Sequence, residues 1–102
     1  MKIVYAKRAV AQIDHQFAYG IETFGTAVAT RIMTRLRRFI ETTLASYPRT
    51  GTWYASWHAY EAWCPQTPFV VVYRIDQGEA TLIVLAVFHH AQDRGSSTPA
   101  DP

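Results

Sequence analysis

Residues 69–94 read FVVVYRI (69–75), DQGE (76–79) and ATLIVLAVFHHAQDR (80–94), the longest apolar segment of the chain. Its β-branched alternation predicts two strands joined by a short turn at Asp76, Gln77, Gly78 and Glu79. Phe69, Val71, Tyr73 and Ile75 fall on one face of the first strand, and Val70, Val72 and Arg74 on the other. The second strand runs from Ala80 to Phe88 and ends in a polar cluster of His89, His90, Gln92, Asp93 and Arg94. This hairpin is the expected centre of a sheet that delivers those groups to the surface.

Upstream, His58 to Cys64 (HAYEAWC) alternates and reads as a further strand, closed by a turn at Pro65-Gln66-Thr67-Pro68. The three strands form an antiparallel meander. Trp53 to Trp57 reads as an irregular aromatic segment packed at the core edge. Before it, Pro48 and Gly51 break a helix.

The first half has helical periods. Val10, Ile13, Phe17, Ile21 and Phe24 form one stripe, with Gly20 marking a close approach to a neighbouring helix and Gly25 ending the helix. Thr26 is the expected N-cap of a second helix reaching about Ser46, with Val28, Ile32, Leu36, Phe39, Ile40 and Leu44 as its apolar side and Met33 at the margin. Arg31, Arg35 and Arg38 lie on another face, with Arg37 nearby, as a solvated stripe. Residues Lys2 to Ala6 give a short opening strand. The result is an α+β domain of order β-α-α-β-β-β over residues 1–94, a helical hairpin on an antiparallel sheet. Counting chain directions makes the first and last strands antiparallel. Residues 95–102 (GSSTPADP) lack an apolar anchor and are expected to be a disordered tail.

Length and composition bound the function. A chain of 102 residues, 49% hydrophobic and 18% charged, suits one globular domain. The formal charge of +2 is too small to indicate nucleic-acid binding by itself, and no sequence-specific nucleic-acid contact is expected. A single cysteine, Cys64, excludes an intrachain disulfide and favours a reducing compartment. No signal-like run opens the chain, and Arg74, Asp76, Gln77 and Glu79 interrupt the apolar region, so a cytoplasmic protein is expected. No zinc spacing or phosphate-binding glycine loop occurs, so neither metal nor cofactor is expected.

Taken in order, this arrangement resembles the RelE/ParE superfamily of type II toxins. The resemblance rests on Leu44-x-x-Tyr47-Pro48-x-x-Gly51 after the second helix, on Tyr73-Arg74-Ile75, and on His89, Ala91 and Asp93 at the end of the last strand. It implies a toxin neutralised by a cognate antitoxin, acting either on DNA gyrase, as in the ParE branch, or as a ribosome-dependent mRNA endonuclease, as in the RelE branch. A non-toxic antitoxin-binding module is the third reading. In a metal-free nuclease, a base, a cation and an acid must converge on the ribose and phosphate. His89, Arg74, Arg94 and Tyr73 are the candidates here. The resemblance puts an arginine of the nucleases where this chain has Val70, and no lysine follows Lys7, which favours the gyrase branch. Arg74, His89, His90, Asp93 and Arg94 are then the expected partner-binding groups. Met33, Arg37 and Arg74 are the expected antitoxin contacts, in a groove between the hairpin and the sheet.

Overall fold

The computed structural model describes residues 1–90. Asp93, Arg94 and the expected tail at 95–102 lie outside them. Strand β1 (Lys2–Tyr5) leads into helix α1 (Lys7–Phe24) and helix α2 (Thr26–Arg38), which continues as a π-helical segment, Phe39–Leu44. Strands β2 (Thr52–Tyr54), β3 (Ala59–Trp63), β4 (Phe69–Asp76) and β5 (Thr81–His89) complete a five-stranded sheet of order β1-β5-β4-β3-β2. The α+β class and the helical hairpin are as expected.

One expectation fails for a definite reason. Thr52–Tyr54 is a strand, pairing antiparallel with β3 through Trp53 and Tyr60. The extra strand reverses the chain once more, so β5 runs parallel to β1, from Lys2 opposite Thr81 to Tyr5 opposite Val84. The sheet is therefore mixed. Three residues are too few to display a period of two.

The helical hairpin turns on Gly25. Its φ of 88° is open to glycine. Its N–H donates to Ile21 O at 2.9 Å and its carbonyl accepts from Ala29 N at 3.1 Å, so one residue closes α1 and opens α2. Gly25 thus takes the N-cap place expected of Thr26, which lies inside the helix. Gly20 does mark a close approach: a Cβ there would lie 3.3 Å from the Ala29 Cβ.

The core lies between the hairpin and one sheet face. Leu36, Ile40 and Leu44 pack with Phe69, Val71, Tyr73, Leu82, Val84 and Val87. Val70, Val72, Ala86 and Phe88 form a smaller cluster on the other face. A bulge preserves this division: Val72 pairs with Ala86 but Tyr73 with Val84, so Leu85 is the extra residue of β5.

The α1 stripe behaves differently from a core stripe. Val10, Ile21 and Phe24 are exposed, while Ala9 and Gln16 are buried. Gln12 accepts a 2.8 Å hydrogen bond from the Val87 N–H. That bond falls where β1 no longer pairs with β5. Ala9, Gln12 and Gln16 thus face inward beside Ile13, and Val10, Ile13 and Phe17 line a groove along the helices.

Candidate functional site

Three surfaces carry exposed chemistry. The first is the end of β5. His89 pairs across the ladder with Phe69, and their rings meet edge-on at 6.1 Å. The His90 ring lies 4.1 Å from that of Trp63, and its backbone N–H donates to Pro68 O. His90 Nδ1 is buried with no hydrogen-bond partner among the described residues. A buried ring nitrogen without a partner is costly.

The second surface is a groove of about 490 Å³ along the helical hairpin. Val10, Ile13 and Phe17 of α1 and Met33, Leu36 and Ile40 line it, with Asp14, Arg37 and Glu41 at its margin. Tyr5 closes one side and donates to Glu41 Oε2 at 3.0 Å. Burial, followed by the hydrogen bond to Glu41, pushes the Tyr5 phenol well above its ordinary value.

The third is an aromatic and cationic cleft of about 590 Å³ at the other end of β4, lined by Arg49, Trp53, His58, Tyr60, Arg74, Ile75 and Gln77. Arg74 Nε donates to His58 O at 2.8 Å and its terminal nitrogen to Trp57 O at 3.2 Å.

Tyr73 belongs to none of the three. Its side chain is fully buried. Its hydroxyl donates to Pro48 O at 2.7 Å and accepts from Gly51 N at 3.1 Å. Burial raises its phenol. Cys64 is also buried, and desolvation raises its thiol, which removes it as a nucleophile.

The model of the ParE toxin of type II toxin-antitoxin systems matches residues 3–94. The chain belongs to the ParE toxin family. Two solved structures share the fold of this ParE-family chain. One is the chromosomal ParDE toxin-antitoxin system from P. aeruginosa, at 12% identity and a TM-score of 0.72, covering 87% of this chain and 95% of that one. The other is the RelBE2 toxin-antitoxin complex from Mycobacterium tuberculosis, at 19% identity and a TM-score of 0.65, covering 86% and 95%. No curated protein sequence matches it.

On this ParE scaffold the sequence-derived candidates separate. Tyr73 is sealed under the hairpin, Arg74 points to the opposite face near the β4 end, and His89 sits beside Phe69 at the β4 start. Met33 and Arg37 share the helical groove, whereas Arg74 lines the aromatic cleft. The cleft escaped sequence reasoning because Arg49, Tyr60 and Arg74 come from three segments. The density of Trp and Tyr between Trp53 and Trp63 was its only signal. No helix of the described residues is long and apolar enough to cross a membrane, and they hold no cluster of three or more metal-ligating side chains.

Proposed function

We propose that this ParE-family toxin binds DNA gyrase, stalls it with its DNA cleaved, and is neutralised by a cognate antitoxin. The observation that carries this reading is the dispersal of the groups that RNA cleavage would need. Tyr73 is fully buried and Arg74 and His89 lie at opposite ends of β4. Val70, also buried, occupies the position where the resembled nucleases place an arginine. A gyrase poison requires a binding surface and no assembled proton-transfer site. The end of β5, with His89 and His90, is the surface we assign to gyrase.

Both related structures are toxin-antitoxin assemblies, which supports an antitoxin partner. The helical groove is the site we assign to it. Apolar side chains line its floor, and Asp14, Glu41 and Arg37 at the margin offer both signs of charge. An amphipathic helix that folds on binding fits this chemistry, its apolar side against Phe17 and Met33 and its polar side toward the charged margin. The ParE assignment itself rests on the family match over residues 3–94.

One observation favours a second reading. Among the described residues His90 Nδ1 is buried without a hydrogen-bond partner, a polar group that an RNA substrate of an mRNA endonuclease would satisfy. Induction in cells separates the two. Gyrase poisoning produces a DNA damage response and filamentation before protein synthesis falls. Cleaved transcripts with intact DNA, abolished by His90→Ala, would establish the endonuclease instead.

A further inference from the structure

The cleft at the β2–β4 end of the sheet is used by neither reading above. We propose that it binds single-stranded nucleic acid without sequence preference, stacking a base on Trp53 and holding the adjoining phosphate with Arg49 and Arg74.

The lining gives the charge. Among the described residues it carries two guanidiniums and no carboxylate. Arg74 is held by the carbonyls of His58 and Trp57, and Arg49 donates to the Tyr60 hydroxyl at 3.3 Å. These acceptors are neutral oxygens, which fix the guanidinium planes without cancelling their charge. A guanidinium has five N–H donors, more than these bonds use, and its fork matches a phosphate.

The rings give the second half of the site. Trp53 lies 5.0 Å from Tyr60, tilted by 57°, and meets His58 edge-on at 6.3 Å. Its partners steady the indole, yet 48% of Trp53 remains exposed. A large aromatic side chain held open beside two cations is the arrangement on which bases stack in single-strand binders. His58 adds a third observation. Its φ of 52° lies in the left-handed region, unusual for a non-glycine residue, and its carbonyl is the one that holds Arg74. Such conformations gather at ligand sites. The volume of about 590 Å³ falls within the range of small-ligand pockets, roughly 300–1,000 Å³.

An acidic peptide would satisfy the arginines but leave the aromatic faces idle, so the ring–cation pairing favours a nucleotide. This inference does not depend on whether gyrase is the target, because it is tested on the purified chain alone.

Fluorescence anisotropy of a labelled oligothymidylate, titrated with the full chain, tests it, with circular dichroism confirming that each variant is folded. Binding is expected, weakening steeply as salt rises. Trp53→Ala weakens it by at least about fivefold, the smallest effect of losing one stacked base, and Arg49→Gln weakens it and lowers its salt dependence by removing a phosphate contact. Trp63→Ala, an exposed tryptophan outside the cleft, leaves it unchanged. Arg49→Gln keeps the test decisive if Trp53→Ala unfolds. No measurable binding, equal loss with Trp63→Ala, or tighter binding of a polyglutamate peptide than of the oligonucleotide would each overturn the proposal.

Discussion

The Tyr73 hydroxyl joins the exit of the helical layer to the middle of the sheet, through Pro48 O and the Gly51 N–H. Its ring stacks on Tyr60 at 5.3 Å and 13°. Tyr73→Phe keeps the ring but strips both polar groups of a partner, at a cost of about 1–3 kcal/mol. Gly51→Ala damages the same joint differently: a Cβ would stand 2.8 Å from the Glu61 carbonyl and 2.9 Å from the Tyr73 hydroxyl. Overpacking against backbone costs about 1–3 kcal/mol. Urea unfolding of both variants should give lowered midpoints; wild-type midpoints would contradict the role given to this joint. The face on which Tyr73 lies was legible from strand alternation. Its hydroxyl partners were not, because they stand 25 and 22 residues away in the chain. Tyr5 and Tyr73 also set an alkaline limit. Both phenols are raised from the ordinary 10.0, Tyr5 mainly by desolvation and Tyr73 likewise. The folded state therefore holds these protons more tightly than the unfolded chain. Their contribution to stability is complete below about pH 10, where the unfolded phenols ionise, and is lost as pH climbs toward the folded values. Tyr5→Phe should flatten the decline of the urea midpoint above that pH; an unchanged slope would refute it.

Helix α1 shows how a periodic pattern can be read without revealing what covers it. Its stripe of Val10, Ile13, Phe17, Ile21 and Phe24 is real, but the helix turns Ala9, Gln12 and Gln16 to the sheet. A hydrophobic stripe reveals a preference for burial and not which surface will supply it. Here Val10 and Phe24 stay 45% and 59% exposed, surplus apolar area that an intramolecular core would have covered. Val10→Glu places a charge in the groove proposed for the antitoxin, at a position the fold leaves open. Co-purification with the product of the adjacent reading frame should weaken by at least about tenfold, the effect of roughly 1.4 kcal/mol, while the thermal midpoint stays put. Undiminished co-purification would remove the groove from the antitoxin site. Strand β2 was hidden for the opposite reason. Thr, Trp and Tyr all favour strands, but three residues are too few to show an alternation, and the pairing with β3 completes the strand. The π-helical Phe39–Leu44 likewise left no mark in the sequence, since its register is set by seating Ile40 and Leu44 in the core.

As a whole, the molecule divides its labour by face and by end. The hairpin between Phe69 and His89 forms the rigid centre, as its alternation indicated, with one face under the helices and the other behind a smaller cluster. The fold and family were legible because they rest on long apolar periods and on motifs close in sequence. The surfaces were less so. Each gathers residues from segments far apart, and Arg74, grouped in sequence with the β5 end, stands in fact with Arg49 and Trp53 at the opposite end of the sheet. That separation is what turns the reading from an assembled nuclease toward a binding protein. Gyrase supercoiling of relaxed plasmid with the purified chain addresses it directly. Loss of supercoiling with accumulation of linear, protein-linked DNA is the predicted result. Undisturbed supercoiling in large molar excess of folded protein would contradict it.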